Sequence, residues 1–314
     1  MTTLTRLAAL PLATALVVIA LKLIAWRLTS SVALLSDALE SLVNVASGVV
    51  TLVFINLASQ PPDEEHAYGH TKAEYFASGI VGGLVVFAAL STAVVAAQRL
   101  AAPRPPEQVE TGLGLTLLAT ALNAGLGLAL LYLGRQRHSI ALEAEGHHLL
   151  TDVWTSLGAV AGLGLSAATG WHWLDPVVAL VIAANIGRAG WRLLRQSADG
   201  LLDVSIAPPQ LQRVRAVLDS YASEGVSYHA LRTRQAASRC FISVHVLVPA
   251  HWTVKEGHML LERLEADLRA AVPHATIFTH LEPAGEPSAM EDQALDRPQR
   301  PSTGKASLPL RDSA

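Results

Sequence analysis

The sequence predicts a membrane α-helical protein: six transmembrane helices followed by a small soluble domain of α-β-β-α-β order. Three observations carry this. Of 314 residues, 51% are hydrophobic and only 16% charged, and the apolar residues come in long blocks, as in membrane proteins. Six blocks meet or approach the roughly 20 apolar residues that span a bilayer as helix. After about Gly200 the blocks give way to amphipathic helices and short strand-like runs.

The first span runs from about Leu7 to Leu28 and the second from about Val32 to Leu57. The third begins near Glu74 and stays uncharged from Tyr75 to Gln98. The fourth, Thr111 to Gly134, carries no charge, and the fifth covers about Ile140 to Ala168. The sixth, about Trp173 to Leu194, is interrupted near its end by Arg188 and Arg192, which read as an exit into the cytoplasm. Gly79-x-x-x-Gly83 and Gly158-x-x-x-Gly162 put small residues on one helix face, where helices can approach closely. One side of the membrane would hold Arg6, Lys72, Arg135, Arg137, Arg192 and Arg195, the other Arg27, Arg99 and Arg104. The excess of basic residues predicts both termini on the cytoplasmic side. No cleavable signal is expected, because the first apolar stretch continues to Trp26 without a small-residue cleavage site. A bacterial inner membrane is the expected location.

In the second part, Pro208 and Pro209 open a helix whose Leu211, Val214 and Leu218 share a face. Val226 to Thr233 and Cys240 to Val248 read as strands. Thr253-x-x-Glu256 is a capping box before a helix with Leu260, Leu261, Leu264 and Leu268. Ala275 to Glu282 reads as the last strand. The expected division is residues 1–200 in the membrane, 201–284 as the soluble domain, and a disordered tail of 285–314, rich in Pro, Ser and charge.

Composition excludes several classes. A net charge of −3 gives no reason to expect a nucleic-acid partner. A single cysteine, Cys240, excludes an intrachain disulfide and a thiolate metal cluster. No nucleophile or phosphate-binding loop points to an enzyme.

Polar words inside the apolar spans point to the chemistry. Glu40 and Asn44 follow Asp37, and His148 and Asp152 follow Glu145, at i, i+3, i+7, so each set shares one helix face. Such groups are costly in hydrocarbon and mark function there. Two helices offering two donors each could give a four-ligand site for a divalent cation. Carboxylate oxygens with a neutral imidazole suit Zn²⁺, Mn²⁺, Fe²⁺ or Co²⁺. The histidine must shed its proton to bind metal, which supplies a proton-coupled switch. In the loop before the third span, Asp63, His66 and His70 have metal-ligand spacing. The soluble part carries His229, His245, His251, His258 and His280, with Glu282 close by the last. These converge only if the fold gathers them.

These words, Ser36-Asp37-Ala38-Leu39-Glu40-Ser41-Leu42-Val43-Asn44, His66-Ala67-Tyr68-Gly69-His70-Thr71-Lys72, His148-Leu149-Leu150-Thr151-Asp152, His229-Ala230-Leu231-Arg232-Thr233-Arg234 and Thr279-His280-Leu281-Glu282-Pro283, resemble the cation diffusion facilitators. That family comprises proton-coupled exporters of divalent metals. The resemblance runs from about Leu7 to Pro283. It implies six spans, a cytoplasmic ferredoxin-like domain and a homodimer. It implies a transport site at Glu40, Asn44, His148 and Asp152, and a loop site at Asp63, His66 and His70. It implies a domain site, often binuclear, at His229, His245, His258, His280 and Glu282, and an interlocking pair near the membrane exit, Lys72 with Asp203.

One departure matters. The family usually carries His or Asp and then Asp where this chain has Glu40 and Asn44. The amide removes a charge and leaves a neutral carbonyl ligand, a harder set that shifts weight from Zn²⁺ toward Mn²⁺, Fe²⁺ or Co²⁺. Affinity order still favours Zn²⁺ over Mn²⁺. Asp37 is the candidate to restore the charge. The resulting expectation is a homodimer in the bilayer that exchanges a divalent metal for protons, with metal also acting as a regulatory ligand. The alternative is a metal-sensing scaffold with an impaired transport site.

Overall fold

The computed structural model describes residues 3–137 and 140–286. The side chains of residues 3–13, 134, 137 and 140–145, and with them Arg6, Arg137 and Glu145, lie outside the described residues, as does the predicted tail from 287 on. The chain divides into two compact units between Leu201 and Leu202.

The first unit holds α1 (Thr3–Thr29), α2 (Val32–Ala58), α3 (Ala73–Ala101), α4 (Val109–Arg137), α5 (Ile140–Thr169) and α6 (Leu174–Leu201). Among the described residues, α2 to α6 contain stretches long and apolar enough to cross a membrane, and α1 has 27 residues. Large apolar side chains such as Leu52, Phe87, Trp154 and Val181 point outward, the inverse of a soluble bundle and the expected surface toward lipid.

The helix α6 continues about two turns past Leu194, where the sequence predicts its end. A charged residue ends a hydrophobic run but not a helix, because arginine is a good helix former. The extension packs on α3: Ser197 donates to the Tyr75 carbonyl at 2.6 Å. Close α3–α6 approach rests on Gly82 and Gly190. A Cβ on Gly82 would lie 3.0 Å from the Gly190 carbonyl, and one on Gly190 would lie 2.8 Å from Val85. The predicted small-residue pairs are used by half. Gly79 meets Ser197 and Gly162 meets Val178, whereas Gly83 and Gly158 face open space.

The second unit runs α7 (Pro208–Ser220), β1 (Ser227–Ala236), β2 (Arg239–Val248), α8 (Val254–Ala271) and β3 (Ala275–Pro283). Its sheet order is β1-β2-β3, antiparallel and then parallel. A complete ferredoxin-like sheet would place another strand between β2 and β3. Without it the two ends of the β2-α8-β3 unit pair directly. Ile242, Val244 and Val246 face the helices and pack with Val214, Leu218, Leu260, Leu264 and Leu268. With period-2 alternation, Phe241, Ser243 and His245 take the opposite face, where Phe241 stacks on Phe278 of β3 at 6.4 Å. At the start of α8 the capping box forms, with Glu256 accepting from the Thr253 amide at 2.7 Å.

Candidate metal sites

The intramembrane residues sit on α2 and α5. The phase of α2 is fixed at its start, where the buried Asp175 of α6 accepts from the Val32 amide at 2.7 Å and from the Ser31 hydroxyl. About three turns on, Asn44 donates through Nδ2 to Asp152 Oδ2 at 3.0 Å, joining α2 to α5. Asp152 is buried, and Glu40 and Asn44 are half-buried. Glu40 Oε2 is shut from solvent and has no hydrogen-bond partner among the described residues. Its strongest charge neighbour is Asp152. His148 interacts electrostatically with Asp152 but is itself exposed. No three ligand atoms from Glu40, His148 and Asp152 gather within 4.8 Å.

A lysine that the motif reading passes over lies beside them. Lys22 of α1 is 1% exposed. Its ammonium donates to Asp37 Oδ1 at 2.9 Å, Ser41 Oγ at 2.8 Å and Ser156 Oγ at 2.8 Å. Ser156 in turn donates to Asp37 Oδ1 at 2.7 Å. The Asp37 charge expected to make up for Asn44 is therefore engaged by Lys22. The signal was present in the sequence as the one charge between Leu7 and Trp26.

The loop residues do converge. Asp63 Oδ1 accepts from the His66 amide at 2.6 Å, and its oxygens lie 3.3 Å from His66 Nδ1 and 3.4 Å from His70 Nε2. The two rings are 4.4 Å apart. That amide bond, with the imidazoles beside it, holds the Asp63 carboxyl below the usual carboxylate range.

In the second unit, the sheet register lines up His229 with His245 and His245 with His280 across the three strands. Glu282, two residues past His280 on the same face, is buried at 6% exposure. Its carboxylate sits 2.9 Å from His229 Nε2, 3.2 Å from His245 Nδ1 and 3.4 Å from His280 Nε2. A bulge between His229 and Arg232, with Ala230 at φ 48°, breaks the ladder just after His229 and re-aims the strand there. His229, His245 and Glu282 offer ligand atoms within 4.8 Å of one another. His258 is not brought to these residues within the single chain. It sits on an exposed part of α8 with its ring 3.9 Å from Glu262, one turn along. Spacing alone cannot tell a strand histidine in register from a helix histidine on the far side of the sheet. Asp203 lies 3.2 Å from Arg234.

Comparisons with known proteins identify the family. The family model of the cation efflux transmembrane domain matches residues 9–202, and that of the cation efflux protein cytoplasmic domain matches 206–284. The chain belongs to the cation diffusion facilitator family. Among relatives of this family, the uncharacterized transporter sll1263 of Synechocystis sp. is 45% identical over 284 residues, covering 90% of this chain and 92% of that one. The cation-efflux pump FieF of Salmonella schwarzengrund is 30% identical, covering 88% and 91%. That of Shewanella oneidensis is 28% identical, covering 86% and 91%. The chain is thus a multi-pass membrane protein of a metal cation efflux family, a transporter rather than an enzyme.

Proposed function

We propose that this cation diffusion facilitator is a homodimer that exports a divalent transition-metal ion from the cytoplasm in exchange for protons. The observation that carries the reading is the buried, unpartnered Glu40 oxygen beside the Asn44–Asp152 bond inside the membrane helices. An unsatisfied carboxylate oxygen at such depth is costly, and a cation that gave up its water would satisfy it. Metal would exchange its hydration shell for Glu40, Asn44, His148 and Asp152. For His148 to join, α2 and α5 must shift relative to one another, which is the motion alternating access requires. Protons arriving from outside would compete for the same donors and lower metal affinity.

Zn²⁺ leads on affinity order, and the two carboxylates and amide keep Mn²⁺, Fe²⁺ and Co²⁺ in reach. The Asp63, His66 and His70 loop would receive metal on the cytoplasmic side. His229, His245 and Glu282, with His280 beside them, would hold a regulatory ion. Two imidazoles and a carboxylate fit Zn²⁺, with one position left open. Both termini would be cytoplasmic in a bacterial inner membrane, with a boundary near residue 200 between membrane and regulatory domains. Unchanged stability and dimer packing of the soluble domain on adding metal would count against the regulatory role.

One observation favours a metal-sensing scaffold instead: the soluble cluster is assembled within one chain, whereas the intramembrane set is not. Flux into proteoliposomes separates the two. Zn²⁺, Mn²⁺, Fe²⁺, Co²⁺ and Cd²⁺ would be tested with and without a pH gradient, beside His148→Ala. The transporter predicts gradient-sensitive flux of at least one metal that vanishes in the variant. Folded, dimeric protein with no flux above empty vesicles would favour the scaffold.

A further inference from the structure

We propose that Lys22 and Asp37 form a fixed charge-balancing pair that sets the net charge of the transport site, and with it the affinity for a divalent cation. This rests on the transport reading above. The pair joins α1 to α2 and, through Ser156, to α5. All three ammonium donors of Lys22 are used, on Asp37, Ser41 and Ser156. Every member is buried: Lys22 and Asp37 at 1% exposure, Ser41 at 7% and Ser156 at 0%. The lysine cannot snorkel to an interface, as intramembrane lysines near helix ends do, because its head is tied inward to the bundle.

The pair lies within electrostatic reach of the metal donors. Both Glu40 and Asp152 interact with Lys22 and with Asp37. With metal bound, the ligand carboxylates must be ionised. Asp37, Glu40 and Asp152 then carry three negative charges against one positive charge on Lys22. The remainder is two, the charge of one divalent ion. In low dielectric an excess or deficit of one charge at this range is felt strongly. Too negative a site would hold metal too long, and too positive a site would not take it up. Asp37 Oδ2 has no hydrogen-bond partner among the described residues, so its charge is not spent on further donors there.

The rival explanation is that the network only pins three helices. The two roles differ in how the changes combine. Asp37→Asn leaves Lys22 uncompensated, and KM for Zn²⁺ in proteoliposome flux is expected to rise at least about tenfold, the usual scale for disturbing groups that support metal ligands. Lys22→Met leaves one extra negative charge, and KM and kcat are expected to fall together. The double variant Lys22→Met/Asp37→Asn restores the net charge while breaking more bonds. Replacing both partners of a buried pair is often tolerated where removing one is not. Charge balancing therefore predicts that the double variant returns to within about threefold of wild-type KM, inside the context scatter of such pair energies. A pin predicts that it is at least as impaired as the worse single variant, and that result overturns the proposal.

Equilibrium binding of Cd²⁺ to the detergent-purified full chain, counted as the fraction that Asp152→Ala removes, gives the same ranking without transport. If wild-type flux is absent but this fraction shows the rescue, the transport reading fails and the charge pair stands. If wild-type flux is present and no rescue is seen in either assay, the charge pair alone fails.

Discussion

The intramembrane set and the soluble cluster use overlapping chemistry in opposite ways. In the soluble domain, three imidazoles sit in register across neighbouring strands, and one buried carboxylate reaches all of them. Strand pairing fixes those positions to the spacing of a ladder, so the cluster is preformed for the ion proposed to bind there. In the membrane the proposed donors come from two helices joined by the Asn44–Asp152 and Ser156–Asp37 bonds, and His148 is exposed. Helices can slide where paired strands cannot. A preformed cage suits an ion that stays, and a set that closes only on rearrangement suits an ion that leaves.

The largest expected effect breaks the membrane half. Asp152→Asn removes the charge of a proposed ligand and weakens the acceptor of Asn44, and metal flux is expected to fall by more than about a hundredfold, above the range for supporting residues. Retention of one ion in the soluble cluster, read by elemental analysis, should be unchanged. The converse change, Glu282→Gln, takes away the carboxylate shared by the three imidazoles. Affinity of the soluble cluster should drop about tenfold to a hundredfold in a metal titration, with the transport KM nearly untouched.

Leu264→Ala sharpens the claim that the cluster depends on its platform. Leu264 is 1% exposed in the core beneath the sheet, so the loss should be about 2–5 kcal/mol. It should appear as a lowered unfolding temperature of the soluble domain, recovered in part by added Zn²⁺ through linkage. The smallest effect is Thr253→Ala, which removes the N-cap of α8 and should cost about 1 kcal/mol, with no change in flux.

Much of this was legible beforehand, for identifiable reasons. Long apolar blocks and the Thr253–Glu256 cap are local signals, and the helices they mark formed close to the expected bounds. Where α6 ends was not legible, because hydropathy reports burial in lipid and Arg192 is compatible with helix. His229, His245 and His280 were legible as candidates, but their convergence depends on strand register, which no spacing encodes. His258 carried the same local signal and lies elsewhere, next to Glu262. Lys22 was visible as an intramembrane charge. Its partnership with Asp37 and Ser156 depends on three helices meeting and could come only from the fold.

The most direct test of the two-site account measures flux and retained metal together in Asp152→Ala and Glu282→Ala proteins, reconstituted in the same vesicles. The account predicts that Asp152→Ala loses flux and keeps the soluble-domain ion, while Glu282→Ala loses that ion and keeps flux at a reduced level. Loss of flux in Glu282→Ala as complete as in Asp152→Ala, or undiminished flux in Asp152→Ala, would contradict it.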